Sequence, residues 1–150
     1  MRVVVVGGVA GGMSAAARLR RRDEGAEIIV LERSRYVSFA NCGLPYYVGG
    51  EIEDPAKLLL HTPQTLKAAL NLDVRISSEV TAIDPGAHSV QVTNTETGED
   101  YTLTYDHLIL SPGGLAVRPP IDGLDSPRVH TLRTVDDALA LREASGTRAV

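Results

Sequence analysis

The chain has 150 residues, 43% of them hydrophobic, and a formal net charge of −4. One ordinary domain can bury a core of that composition, and the slightly acidic balance argues against a protein that wraps nucleic acid. Purely apolar runs such as Val3–Val6 and Ile28–Leu31 span only four residues, too few to cross a membrane. Because glycines end the first run, the N-terminus shows no signal-peptide core, and we expect a cytoplasmic protein.

Two predicted strands enclose a predicted helix at the N-terminus. Val3–Val6 and Ile28–Leu31 are short aliphatic runs, typical of parallel strands that are buried on both faces. Between them, the spacing of apolar residues predicts a helix over Met13–Arg22. Strand, helix and strand in this order predict a parallel pair joined by a crossover helix.

The middle of the chain carries fewer signals. Arg33–Tyr47 has no clean period, although Asn41–Pro45 is typical of a turn or of a short helix start. Pro63–Leu70 predicts a helix, with Thr62 as its N-cap and proline at its first position. A third strand is predicted over Asp73–Ile76.

Short alternating segments follow, separated by turn signals. We expect a three-stranded antiparallel meander, then a buried strand that returns to the main sheet, a helix, and the start of a further strand. The segments are Val80–Ile83, His88–Val92, Tyr101–Thr104, Leu108–Leu110, Val135–Ala144 and Thr147–Val150.

The turn after the first strand is rich in glycine. Residues 7–12 match a G-x-G-x-x-G frame, except that Val9 replaces the middle glycine. Backbone N–H groups at such a turn bind a pyrophosphate at the positive end of the following helix. Glu32, at the end of the second strand, can accept hydrogen bonds from ribose hydroxyls. The pattern predicts a dinucleotide site without separating FAD from NAD; a glycine-rich βαβ turn that binds no dinucleotide is the alternative.

Cys42 is the only cysteine, so an internal disulfide is excluded. A lone cysteine in a cytosolic chain is either a buried, inert side chain or a reactive thiol. If Cys42 is catalytic, the second sulfur must come from another molecule, or the thiol must cycle through sulfenic acid.

A run of arginines ends the first predicted helix. Arg20, Arg21 and Arg22 follow Arg18, and the ordinary interpretation is a solvated face near a helix C-terminus. Ser14, Arg18 and Arg21 share one stripe at i, i+4 and i+7. Such a stripe can alternatively hold a ligand with several phosphates.

Three stretches of the sequence carry a family resemblance: residues 4–16, residues 31–33, and residues 38–50 with the motif Ser-Phe-Ala-Asn-Cys-Gly-Leu-Pro. They resemble the N-terminal half of coenzyme A-disulfide reductases, which are single-cysteine, FAD-dependent pyridine nucleotide–disulfide oxidoreductases. Coenzyme A persulfide reductases and NADH oxidases are close relatives. The resemblance implies an α/β, three-layer Rossmann-like FAD/NAD(P)-binding domain with an antiparallel β-meander.

The resemblance also implies roles for particular residues. Cys42 would be the nucleophile and redox centre. Residues that would bind the FAD cofactor are Gly7, Val9, Ala10, Gly11, Glu32, Arg33, Asn41, Val80, Ser111 and Gly113. Residues that match coenzyme A positions are Ser14, Arg18, Arg21, Ser38 and Asn41. Leu70 stands where some members carry a basic residue, so that phosphate contact is expected to be missing. No metal site is expected.

The implied activity is reduction of coenzyme A disulfide, or of a related small disulfide or persulfide, at the expense of NAD(P)H. The alternatives are an NADH oxidase or peroxidase that uses a cysteine sulfenic acid, and a non-catalytic FAD-binding fragment. Such enzymes are longer and are expected to be homodimers without nucleic-acid or membrane partners. Residues 1–113 would be the N-terminal part of the FAD-binding domain, 114–145 a connection, and 146–150 the start of a nicotinamide-binding domain. The 150 residues alone are expected to be inactive.

Overall fold

The computed structural model describes residues 1–146. The predicted strand over Thr147–Val150 lies outside them. Seven strands are described: β1 Arg2–Val6, β2 Glu27–Leu31, β3 Asp73–Arg75, β4 Ser78–Asp84, β5 Ser89–Asn94, β6 Asp100–Thr104 and β7 His107–Leu110. The α-helices are α1 Ala10–Arg22, α2 Leu44–Val48, α3 Pro63–Leu70 and α4 Val135–Ser145, with 3-10 turns at Asn41–Gly43 and Pro55–Leu58.

The main sheet is parallel and has the order β3-β2-β1-β7. Its register pairs Val4 of β1 with Ile29 of β2 on one side and with Leu108 of β7 on the other. β7 therefore returns to the main sheet, as predicted. Its expected burial is wrong in part, because Leu110 is 57% exposed and, within residues 1–146, β7 pairs only with β1.

Alternating residues of the central strands bury opposite faces of this sheet. Val3 and Val30 face one core, which they share with Met13 of α1 and Leu66 of α3. On the other face, a second core joins strand residues to the inner side of the meander; it consists of Val4, Ile29, Leu31, Val90 and Val92.

The meander consists of β4, β5 and β6 in antiparallel order, with an irregularity in register between Val80 and Ala82. In the first unit, helices α1 and α3, the parallel sheet and the meander are three stacked layers. The predicted fold class is confirmed.

Helix α1 begins at Ala10, three residues earlier than predicted. Two glycines occupy its first turn, so propensity alone disfavours a helix there. Packing overrides that preference, because a Cβ at Gly12 would lie 1.8 Å from the carbonyl oxygen of Gly7. Only a glycine lets the helix start so close to the end of β1.

Arg20 departs from the solvated basic run expected from the sequence. The residue is only 9% exposed. Its guanidinium donates five hydrogen bonds to backbone carbonyl oxygens of the loop after α1 and of the end of α3, those of Asp23, Glu24, Ala26, Leu70 and Asn71. Arg20 is therefore a structural residue, because it supplies donors to carbonyls that neither helix can satisfy internally.

The described chain forms two compact units. The first contains Met1–Ser38 and His61–Gly113, and so includes the sheet, α1, α3 and the meander. The second contains Phe39–Leu60 and the described residues from Gly114, with α2 and α4. The domain boundaries expected from the sequence stay a prediction. Within the part of the chain that is described, no helix combines the length and the apolar character that a membrane span requires.

Candidate functional site

Bare backbone forms the turn between β1 and α1. Gly7 has φ +100°, and a Cβ there would lie 2.0 Å from the carbonyl oxygen of Ser111. The Ser111 N–H in turn donates to the Val6 carbonyl oxygen at 2.8 Å. The turn therefore sits against the end of β7, and no side chain fits at position 7.

The first turn of α1 is open to a negative charge. Val9 is its N-cap residue and caps nothing with its side chain, and the first turn contains no acidic residue. The leading N–H groups of a helix have no partner within the helix and carry its positive end. Gly11 is exposed, and a Cβ there would meet Ser111 Oγ at 3.2 Å. Val9, Ala10 and Gly11 thus present backbone to an anion.

Glu32 lies at the end of β2 and is only 7% exposed. Its Oε2 accepts a hydrogen bond from the Gly8 N–H at 2.7 Å, and its Oε1 accepts one from the Ser34 N–H at 2.9 Å. The carboxylate therefore joins the glycine turn to the loop after β2. Sequence reasoning did not find this structural contact, because it treated Glu32 only as a ligand for ribose.

A second group of contacts, made by Ser77 and Glu96, holds the loop after β2. Ser77 is 2% exposed and has φ 51°. Its N–H donates to the Ser34 carbonyl oxygen at 2.9 Å, and its hydroxyl donates to Glu96 Oε1 at 2.8 Å. Glu96 belongs to the turn between β5 and β6. The meander thus supports the loop that carries Glu32, which no motif in the sequence indicated.

Three further residues assigned to FAD, Arg33, Val80 and Gly113, lie in the first unit. Arg33 directly follows Glu32 and is exposed, and its carbonyl oxygen accepts from the Thr95 hydroxyl at 3.5 Å. Val80 is half-buried at the irregularity of β4 and packs against the meander core. Gly113 has φ +75° in the connection after β7.

Four of the five residues assigned to coenzyme A occupy two places in the first unit, and the fifth, Asn41, lies in the second unit. Ser14, Arg18 and Arg21 are all exposed on α1. Ser38, with φ 51°, donates its N–H to the Gly8 carbonyl oxygen at 2.8 Å and so lies beside the glycine turn. Leu70 ends α3 and packs against the core; the expected loss of a phosphate contact there stays a prediction.

Cys42 lies in the second unit, on the 3-10 turn before α2, and its side chain is exposed. The thiol is therefore not buried within the described residues, and its reactivity stays a prediction. Its neighbour Gly43 is buried, and a Cβ there would lie 2.9 Å from Leu58 Cδ2. The Ala40 N–H donates to the Leu58 carbonyl oxygen at 2.8 Å. An exposed thiol is thus carried on a closely packed backbone.

Asn41, directly before Cys42, has an unusual polar atom. Its side-chain oxygen Oδ1 is buried and accepts no hydrogen bond from any described residue. Buried acceptors without partners are rare in folded proteins and indicate an unfilled contact. Asn41 Oδ1 can accept a hydrogen bond from a bound ligand.

The glycine turn, the acid that ends β2, and the meander over the parallel sheet define a Rossmann-like fold of the FAD- and NAD(P)-binding type. The family model for pyridine nucleotide-disulphide oxidoreductases matches residues 1–150. The chain belongs to that family.

Individual relatives point to the same group. The chain is 40% identical to a coenzyme A disulfide reductase of Staphylococcus haemolyticus over 140 residues, which is 93% of this chain and 31% of that protein. It superposes on reduced CoADR-RHD of Bacillus anthracis with a TM-score of 0.92 and 47% identity, over 96% of this chain and 26% of the other. A water-forming NADH oxidase of Lactobacillus brevis gives 0.88 and 34%, over 97% and 32%. The chain thus spans about a third of the curated relative's length.

Proposed function

We propose that the chain is the N-terminal, FAD-binding part of an NAD(P)H-dependent reductase of coenzyme A disulfide, or of a related small disulfide or persulfide. The observation that carries the proposal is the exposed Cys42 thiol on a fixed backbone segment, within a chain that also has the dinucleotide turn. The chain contains no second cysteine. The thiol is therefore suited to bond with a sulfur from another molecule.

The residues present fit FAD. At Gly7 and Gly12 a Cβ would collide with backbone, so the turn is bare where a pyrophosphate must approach, and the uncapped start of α1 suits its charge. Bound flavin would supply two-electron chemistry between a nicotinamide and a sulfur. The residues we assign to its binding are Gly7, Val9, Ala10, Gly11, Glu32, Arg33, Asn41, Val80, Ser111 and Gly113.

Glu32 can serve both the fold and the ligand. Each of its two carboxylate oxygens already accepts one backbone hydrogen bond. An ionised carboxylate offers about four acceptor positions. About two acceptor positions are therefore not used by these backbone bonds, and we assign them to ribose hydroxyls.

The chemistry assigned to Cys42 is thiol–disulfide exchange. Its thiolate attacks one sulfur of the disulfide, a Cys42–S bond forms, and the first thiolate leaves. Addition of two electrons and a proton, which come overall from NAD(P)H, breaks that bond, releases the second thiol and restores the thiolate. The sum is one disulfide reduced to one thiol and one thiolate for each NAD(P)H oxidised, and the thiolate that left first takes its proton from water.

The stripe of Ser14, Arg18 and Arg21 supports coenzyme A as the substrate. Guanidinium groups pair with phosphate through charge-assisted hydrogen bonds, and all three side chains are exposed on α1. Ser38 beside the glycine turn and Asn41 with its unpartnered Oδ1 complete the proposed set.

The similarity to an NADH oxidase favours one second candidate. In that case Cys42 would cycle through sulfenic acid, with oxygen or peroxide as the acceptor. Both candidates need the thiol, so they are distinguished by the molecule that accepts the electrons. A non-catalytic FAD-binding role would need neither a reactive thiol nor an electron acceptor.

The test compares the wild type with Cys42→Ser in the full-length protein. We expect the wild type to bind FAD and to reduce coenzyme A disulfide faster than it consumes oxygen, with NADH and NADPH tried in turn. Cys42→Ser keeps the size of the side chain but cannot form the mixed disulfide. It should abolish disulfide reduction while FAD stays bound and NAD(P)H still reduces it. Disulfide reduction by the serine variant at the wild-type rate would show that Cys42 is not the redox centre.

We further propose that the full-length protein is a homodimer that works in the cytoplasm. Light scattering on the purified protein tests the first statement. Fractionation of cells that express it tests the second.

A further inference from the structure

Arg142 of α4 reaches the helix that follows Cys42. Its guanidinium Nη1 donates to the carbonyl oxygen of Tyr47 and, at 3.0 Å, to that of Ile52. Its Cζ lies 4.7 Å from the centroid of the Tyr47 ring, within the range of a cation–π contact. One side chain therefore makes three contacts with residues 47–52.

Helix α2 depends on such contacts. It has only five residues, Leu44–Val48, and a helix that short is not stable in isolation. Carbonyl oxygens at a helix C-terminus have no partner within the helix, and a cationic donor satisfies both their hydrogen bonding and their negative charge. Arg142 supplies a charged donor at Tyr47, whose carbonyl oxygen also accepts from the Gly50 N–H at 3.2 Å. Tyr47 itself is buried, so its ring and its carbonyl are fixed together.

The second contact of Arg142 leads back to the cysteine by packing. The Cδ1 atom of Ile52 lies 3.5 Å from where a Cβ of Gly43 would be. Gly43 is buried next to Cys42. Tyr47 belongs to α2, which begins two residues after Cys42, and the Ile52 side chain packs beside Gly43. Arg142 is hydrogen-bonded to the backbone at both Tyr47 and Ile52.

We infer that Arg142 is a positioning residue for the Cys42 thiol. It acts through the backbone of residues 43–52 and touches no reacting atom. The inference rests on the proposed function, because it assigns Arg142 to the reaction of Cys42.

The experiment uses full-length Arg142→Met, Arg142→Lys and Arg118→Met. Arg118 is the matched control, because in the same unit its Nη2 donates to two loop carbonyls, those of Leu124 and Val129. Two quantities are measured: hydrogen exchange of the amides in residues 40–52, and kcat and KM with coenzyme A disulfide.

In Arg142→Met, we expect the amides of Gly43, Gly49 and Ile52, which are hydrogen-bonded in the segment, to exchange about tenfold faster. Amides of β1 should stay at the wild-type rate. The kcat should fall roughly tenfold and KM should change less, because Arg142 contacts none of the residues assigned to coenzyme A and only Asn41 of that set adjoins the loosened segment. Arg142→Lys, which keeps a charged donor, should give intermediate values, and Arg118→Met should match the wild type in both measurements.

Three results would overturn the inference. They are unchanged exchange in residues 40–52, an equal rise of exchange in β1, and a local rise of exchange with the wild-type kcat. If Arg142→Met does not fold, Arg142→Lys carries the same comparison. A wild type without disulfide reductase activity would refute the proposed function and the assignment of Arg142 to it, whereas the exchange data would still decide whether Arg142 anchors the segment.

Discussion

Replacing Glu32 with glutamine removes one acceptor from a buried position that needs two. The carboxylate accepts from the N–H groups of Gly8 and Ser34 on its two oxygens. A glutamine side chain has one oxygen, and its amide group would face the other N–H as a second donor. One backbone N–H therefore loses its partner, and Glu32 is only 7% exposed, so water cannot easily replace it.

The magnitude follows from these two contacts. A hydrogen bond to a charged group contributes about 1.5–3 kcal/mol, and a buried donor without a partner costs about 1–3 kcal/mol. We expect Glu32→Gln to lower the free energy of unfolding by about 2–4 kcal/mol and to weaken FAD binding as well. If Glu32 also accepts from ribose, the loss of FAD binding free energy should exceed the loss in the free energy of unfolding.

The assay measures denaturant unfolding of the FAD-free protein and FAD affinity by fluorescence, both on the full-length chain. Glu27→Gln is the control, because Glu27 begins the same strand and forms an exposed ion pair with Arg2, a kind of contact that contributes little. Equal effects of the two variants on the free energy of unfolding would refute a stabilising role for the two hydrogen bonds that Glu32 accepts. Lowered stability with unchanged FAD affinity would limit Glu32 to a structural role.

Further variants test other parts of the molecule. Replacing Arg18 and Arg21 together with alanine should raise KM for coenzyme A disulfide and leave turnover of a small disulfide almost unchanged, because these side chains bind far from the chemistry; steady-state kinetics with both substrates checks this. Gly12→Ala should destabilise the fold by about 3 kcal/mol or more, since its Cβ would lie 1.8 Å from a carbonyl oxygen, whereas Gly11→Ala, with its nearest atom at 3.2 Å, should fold normally; denaturant unfolding compares the two. Burial raises the pKa of Asp137, but hydrogen bonds from the Arg133 and Thr134 N–H groups and from the Thr134 hydroxyl outweigh it, so the pKa is lowered. The contribution of Asp137 to stability is therefore present above about pH 4 and is lost as the pH falls through the lowered pKa. The thermal midpoint of Asp137→Asn should therefore lie slightly below that of the wild type at pH 6, because the group is partly exposed, and the difference should vanish at low pH.

Local chemistry explains which elements could be predicted. Thr62 caps α3 by accepting from the Thr65 N–H, and proline occupies the first position, so the signals for that helix lie within four residues. The meander was predictable because turn residues separate its strands and each strand alternates. Burial of the central strands follows from their unbroken aliphatic runs, which suit a sheet that is covered on both faces.

Distant partners explain what could not be predicted. Arg20 and Arg21 are adjacent and chemically identical, yet Arg20 is buried and Arg21 exposed. The difference arises from carbonyl groups of Leu70 and Asn71, about fifty positions away, which accept from Arg20. The buried hydroxyl of Ser77 likewise finds its partner in Glu96, nineteen positions away in the turn between β5 and β6. No periodicity in the sequence encodes such contacts.

Two charged residues, Glu32 in the first unit and Arg142 in the second, share one physical task. Turns around a ligand or a thiol cannot satisfy their backbone groups within a helix or a sheet, so partners must come from side chains. Glu32 accepts from two N–H groups, and Arg142 donates to two carbonyls. Charged groups form the stronger hydrogen bonds, which is why they are effective in this role. A charge near such a turn therefore indicates a backbone partner as readily as a ligand, and only paired variants such as Glu32→Gln with Glu27→Gln separate the two roles.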